Sequence, residues 1–140
     1  MKPASAFYDM LWVAAGGAIG ASLRYGTELM LQTISNQSAM FTSTAIENIL
    51  GSFAIGLVYT LLVKRTGNNH RLSLFFLTGL IGSYTTYSGF MAENLMLIQS
   101  DLILFAGYFV FQIGAGIFAA IIGIGFGKKW VRNLQAGSMP

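Results

Sequence analysis

Gly82-Ser83-Tyr84-Thr85-Thr86-Tyr87-Ser88-Gly89-Phe90 falls in the middle of the third of four apolar runs, and its composition is wrong for that place. Two glycines, two threonines and two serines make a poor helix, yet the flanking run, residues 72–98, has the length and apolarity of a membrane span. Irregular backbone at membrane depth is tolerated only where it is buried in protein or lines a polar cavity. One reading is therefore a break near Gly82 to Thr86 that exposes carbonyl oxygens, which suit a hard cation. The other keeps the helix intact, with the hydroxyls bonded back to the preceding turn. Tyr87 and Phe90 stand three apart and share a helix face. Their electropositive ring edges are weak partners for an anion, and the same spacing also serves simple packing.

Working outward, a helix needs about 20 mostly apolar residues to cross the hydrocarbon core. Four stretches qualify: residues 12–31, 41–63, 72–98 and 102–127. The expectation is an all-α membrane protein in which residues 1–140 form a single transmembrane domain of four helices, the third of them broken. Composition agrees, because the chain is 54% hydrophobic and 9% charged, against roughly a quarter charged in a soluble domain. Lys64 to Arg71 is a polar turn with a Gly-Asn-Asn breaker, and Thr33 to Ala39 is an uncharged polar link. Gln99-Ser100-Asp101 is so short that the third and fourth spans should form an antiparallel hairpin. The polar tail after Lys128 is expected to fray. The first run is read as a retained helix, not a cleaved leader, because Asp9 lies in its approach and Arg24 interrupts the place of cleavage.

The charges orient the spans. Lys2, Lys64, Arg65, Arg71, Lys128, Lys129 and Arg132 all fall on one side of a four-span chain, and Arg24 is the exception. By the positive-inside rule both termini are cytoplasmic, in the cell membrane. These residues form no continuous basic face, so the net charge of +3 does not argue for nucleic acid. With no cysteine and one histidine, a disulfide scaffold, a thiol nucleophile and a multi-histidine metal site are excluded within one chain. No nucleophile–base pair is visible, so the chain does not read as an enzyme. Arg24, Glu47 and Glu93 lie within spans and Glu28 lies nearer an interface. Charges at such depth are functional candidates; snorkelling, a nearby helix end or an internal salt bridge would also account for them. Gly16 and Gly20 have the spacing that lets helix backbones approach closely.

With these residues in view, the chain resembles the CrcB/Fluc family of fluoride channels. Gly16-Gly17-Ala18-Ile19-Gly20-Ala21-Ser22-Leu23-Arg24-Tyr25 is similar to its first-helix pattern, and Asn48-Ile49-Leu50-Gly51-Ser52-Phe53-Ala54-Ile55-Gly56 to its second. Gly79 to Glu93 is similar to its third-helix signature. The resemblance implies an antiparallel dimer of four-helix subunits with two pores for passive export of fluoride. It implies a structural sodium ion at the dimer centre, held by the carbonyls of Gly82 and Thr85. It assigns the fluoride path to the Asn48 amide and the rings of Tyr87 and Phe90, with Thr86 and Ser88 on the polar part of the motif. Arg24 and Glu93 are the matched supporting residues, with Tyr108 and Gln112 as candidates from the fourth span. Ser83, Tyr87, Gly89-Phe90-Met91 and Glu47 depart from the pattern. An antiparallel homodimer requires a chain that inserts both ways, which calls for little Lys/Arg bias. The strong bias here points to a heterodimer with an oppositely oriented homologue. Two other readings stand beside the channel: a proton-coupled small multidrug-type transporter, and a non-conducting structural subunit.

Overall fold

The computed structural model describes residues 3–34, 39–65 and 69–136, and almost all of them are helical. Helix α1 is Pro3–Ile34 and α2 is Ala39–Arg65. A short α3, His70–Ser73, leads into a π-helical stretch, Leu74–Ile81, and then into α4, Gly82–Tyr84. Helix α5 is Tyr87–Ser100 and α6 is Leu102–Ala136. Among the described residues, three segments are long and apolar enough to cross a membrane: Ser5–Thr33, Phe41–Val63 and Leu102–Ala136. Many large apolar side chains on them are exposed, among them Leu23, Ile55, Val110, Phe118 and Ile121. In water such a surface would drive aggregation, whereas lipid is its natural solvent. The chain is a multi-pass membrane protein.

Packing runs through two parallel pairs. α1 lies along the Leu74–Ile81 stretch, with Asp9 beside His70, Trp12 edge-on to Phe75 and Thr27 near Tyr84. α2 lies along α6, with Phe41 at Tyr108, Ser52 at Gly116, Gly56 at Ala120 and Thr60 at Gly127. The start of α1, the start of α3 and the end of α6 therefore share one end of the bundle. Lipid supplies no hydrophobic push between helices, so close contact has to come from small residues. A Cβ on Gly16 would overlap the Phe75 carbonyl, and one on Gly20 would overlap the Leu80 carbonyl. The wider π turn pushes its carbonyls off the helix axis, and only glycine in α1 leaves room for them. Gly123 plays the same part in the second pair, where it meets the carbonyl of Phe53.

Several expectations from the sequence change here. Residues 129–136 do not fray, since α6 runs unbroken to Ala136, and residues 137–140 lie outside the described residues. α1 begins well before Trp12. The link after the third run shrinks to Asp101, whose carboxylate accepts from the Ile103 and Leu104 N–H groups at 2.8 and 3.0 Å and caps α6. α5 and α6 then run antiparallel, with Phe90 against Phe109 and Glu93 against Tyr108. Within the two polar links, residues 35–38 and 66–68 lie outside the described residues. Glu47 and Glu93 do not reach water through a helix end, because both are 0% exposed.

Candidate functional site

Between α4 and α5 the backbone is extended at Thr85 (φ −79°, ψ 155°) and Thr86 (φ −139°, ψ 110°). The threonines serve the two sides of this link differently. Thr85 turns back, its N–H and hydroxyl both donating to the Ile81 carbonyl at 3.0 and 3.1 Å. Thr86 faces forward, its Oγ1 accepting the Gly89 N–H at 3.0 Å and capping α5. Asn48, reaching across from α2, holds the link: its Oδ1 accepts the Thr86 N–H at 2.9 Å, and its Nδ2 donates to the Thr86 carbonyl at 3.1 Å.

These bonds free two carbonyls. In a continuous α-helix the Thr86 N–H would bond Gly82, and the Gly89 N–H would bond Thr85. The first goes to Asn48 and the second to the Thr86 hydroxyl. Gly82 is exposed and both residues line a shared cavity of about 280 Å³. Exposed carbonyl oxygens released from a helix are the donor type a hard monovalent cation takes, so Gly82 and Thr85 fit such an ion.

Asn48 also borders a larger cavity of about 460 Å³, together with Tyr87, Phe90, Phe109 and Gln112. An amide nitrogen carries two N–H groups, and the bond to Thr86 uses one. Tyr87 is 76% exposed while Phe90 is buried, their ring centroids 6.3 Å apart. Phe90 in turn packs on Phe109 at 5.6 Å and Tyr108 at 6.1 Å.

Behind Phe90 runs a buried polar chain. The Thr44 hydroxyl donates to Glu93 Oε1 at 2.5 Å, the Tyr108 hydroxyl donates to Glu93 Oε2, and Gln112 Nε2 donates to the Tyr108 oxygen at 2.6 Å. Gln112 Oε1 has no partner among the described residues. On the other flank, Arg24 and Glu28 pair at 3.8 Å across one turn of α1. They border a polar cavity of about 400 Å³ with Thr86 and Ser88, whose hydroxyls lie 3.3 Å apart. Glu47 stands apart from all of this, both carboxyl oxygens buried without a hydrogen-bond partner among the described residues.

The structure thus gathers Asn48, Gly82, Thr85, Thr86, Tyr87 and Phe90 around one link, and sets Glu93, Tyr108 and Gln112 in a chain next to it. Arg24 and Ser88 border a separate cavity. Three participants escaped the sequence reading. Thr44, and Ser52, which lines both cavities beside Asn48, are small polar residues in an apolar run, with no spacing signal to mark them. Phe109 is one aromatic among many in α6. Nothing in the arrangement is a nucleophile with a base. Around the two cavities that Asn48 borders it offers an amide donor and aromatic rings, with no fixed positive charge among the described lining residues.

The chain is similar to known proteins over most of its length. Residues 11–124 match the family model described as CrcB-like protein, Camphor Resistance (CrcB). A protein of Chloroflexus aurantiacus named fluoride-specific ion channel FluC is 39% identical over 121 residues, covering 86% of this chain and 95% of its own length. Proteins of the same name from Flavobacterium psychrophilum and Ruminiclostridium cellulolyticum are each 35% identical, over 86% and 91% of this chain and 97% and 95% of their own.

Proposed function

The chain belongs to the CrcB-like family, and from that premise we propose how it works as a fluoride channel and not as an enzyme. It allows fluoride to leave the cytoplasm passively, down its own gradient. The observation that carries this reading is the Asn48 amide, which spends one N–H on the Thr86 carbonyl and keeps a second beside the rings of Tyr87 and Phe90. Fluoride is strongly hydrated, so a selective path has to replace water with successive donors while avoiding a charge that would trap the ion. The remaining Asn48 N–H, the edges of Tyr87 and Phe90 and the hydroxyls of Thr86 and Ser88 are such donors. Glu93, Tyr108 and Gln112 support the path by fixing one another, and Arg24 draws anions to its mouth while Glu28 offsets its charge.

In this reading residues 72–98 are a fourth, interrupted span, and residues 1–140 form one transmembrane domain. The extended link at Thr85 and Thr86 supports it, because Asn48 meets the Thr86 N–H and carbonyl as membrane depth demands. The subunit pairs with an inverted partner in an antiparallel dimer. The Gly82 and Thr85 carbonyls would hold a sodium ion between subunits, where it would tie the two links together. Both termini are cytoplasmic, and the one-sided Lys/Arg distribution favours a homologous partner of opposite orientation over a second copy. The relatives' names give no support to a multidrug-type transporter or a non-conducting subunit.

The test is fluoride efflux from liposomes holding this chain alone and then with an oppositely oriented homologue. Efflux that appears only with the homologue supports the heterodimer. Efflux with the chain alone, with terminal tags accessible on both sides in comparable amounts, would sink the heterodimer and leave the channel standing. No efflux in either case would sink the channel.

A further inference from the structure

Helix α6 is too long for the membrane it crosses. Its 35 residues make a rod of roughly 52 Å at 1.5 Å per residue, against a hydrocarbon core of about 30 Å. The uncharged part, Leu102 to Gly127, fills the core with some tilt. The C-terminal turns beyond Gly127 sit at headgroup depth, and they are basic. Lys128, Lys129 and Arg132 are exposed, and none of them forms an ion pair with a described residue. Together with Gln135 they border a cavity of about 670 Å³, whose base is Gly125 and the buried Val131. A Cβ at Gly125 would meet nothing within 4 Å, so the space below the three cations is open. Trp130, 52% exposed, lies in the same turns of α6 outside the cavity, and it is the residue type that anchors helices at the membrane–water boundary.

We propose that Lys128, Lys129 and Arg132 form a binding site for the phosphate of an anionic phospholipid in the leaflet at that end of the bundle. The chemistry commits the site to an anion: two ammonium groups and one planar guanidinium border one cavity, with no carboxylate among the described residues that line it. Depth commits it to lipid over free phosphate, because the neighbouring Trp130 and Gly125 belong to the acyl boundary, where a lipid tail continues downward from the headgroup. The proposal rests on the position of α6 in a bilayer and is independent of what the protein conducts.

The full chain is purified in a mild detergent and offered equal amounts of phosphatidylglycerol and phosphatidylcholine, with retained lipid read by native mass spectrometry. The expected result is retention of phosphatidylglycerol over phosphatidylcholine. The triple variant K128Q/K129Q/R132Q should lower it roughly 10-fold or more. K64Q/R71Q, which removes basic residues from the same end of the bundle, should keep the preference, and both variants are checked for a monodisperse size-exclusion peak. Equal loss in the two variants would show a diffuse charge effect and overturn the site. Displacement of the lipid by millimolar inorganic phosphate would overturn the assignment to lipid.

Discussion

The Asn48 side chain is hydrogen-bonded to both main-chain polar groups of Thr86, accepting its N–H at 2.9 Å and donating to its carbonyl at 3.1 Å. A residue of α2 thus replaces the helical partners that the extended link gives up, and it does so with a side chain that also faces the aromatic-lined cavity. Asn48→Asp keeps the acceptor but loses the donor and places a negative charge against a carbonyl. The expected result is loss of fluoride efflux from liposomes, with stability lowered by about 1–3 kcal/mol in a detergent unfolding titration. Efflux at the parent rate in this variant would remove Asn48 from the path.

Glu47 and Glu93 are both fully buried, yet they should respond oppositely to substitution. Glu93 accepts from Thr44 and Tyr108, so Glu93→Leu strands two hydroxyls and should cost about 2–4 kcal/mol. Glu47 has no hydrogen-bond partner among the described residues, so Glu47→Leu removes a buried polar group that nothing there satisfies. It should leave stability unchanged or raise it by about 1 kcal/mol. Thermal melts of the two variants in one detergent decide the contrast, and a large loss for Glu47→Leu would show that its carboxyl has a partner.

Thr44 and Glu93 come from different helices, so their bond can be measured by a double-mutant cycle. With Thr44→Val and Glu93→Leu the expected coupling is about 0.5–1.5 kcal/mol, the range found for hydrogen bonds between membrane helices. A coupling of zero would mean that the 2.5 Å contact contributes nothing net.

Glycines on one helix should separate by what they face. Gly20→Ala drives a methyl into the Leu80 carbonyl and should cost about 2 kcal/mol or more. Gly26→Ala meets nothing within 4 Å and should be neutral or stabilising by up to about 1 kcal/mol, through helix propensity. Equal effects at the two positions would contradict the close packing of α1 on the π-helical stretch.

Much of the fold is legible in the chain alone. Apolar runs of bilayer length, the clustering of Lys and Arg and the polar interruption at Gly82 to Phe90 are properties of composition along the chain, and hydropathy depends on little else. The family resemblance singles out Asn48, Glu93 and the aromatic pair Tyr87 and Phe90 as a set. Their partners are another matter. That Asn48 clamps Thr86, that Thr44 serves Glu93 and that Phe109 covers Phe90 are relations between residues far apart in the chain, and no periodicity carries them.

The sequence by itself determined that this chain lives in a membrane, which of its ends carry the charge, and where its helix former runs out. Only the tertiary structure decided what the interruption is. The link of Thr85 and Thr86 can be extended because a side chain from α2 meets the backbone groups of Thr86, and the carbonyls of Gly82 and Thr85 lose their usual helical donors because those are engaged elsewhere. Backbone hydrogen bonds at membrane depth have to be satisfied by something, and which group does so is a fact of packing.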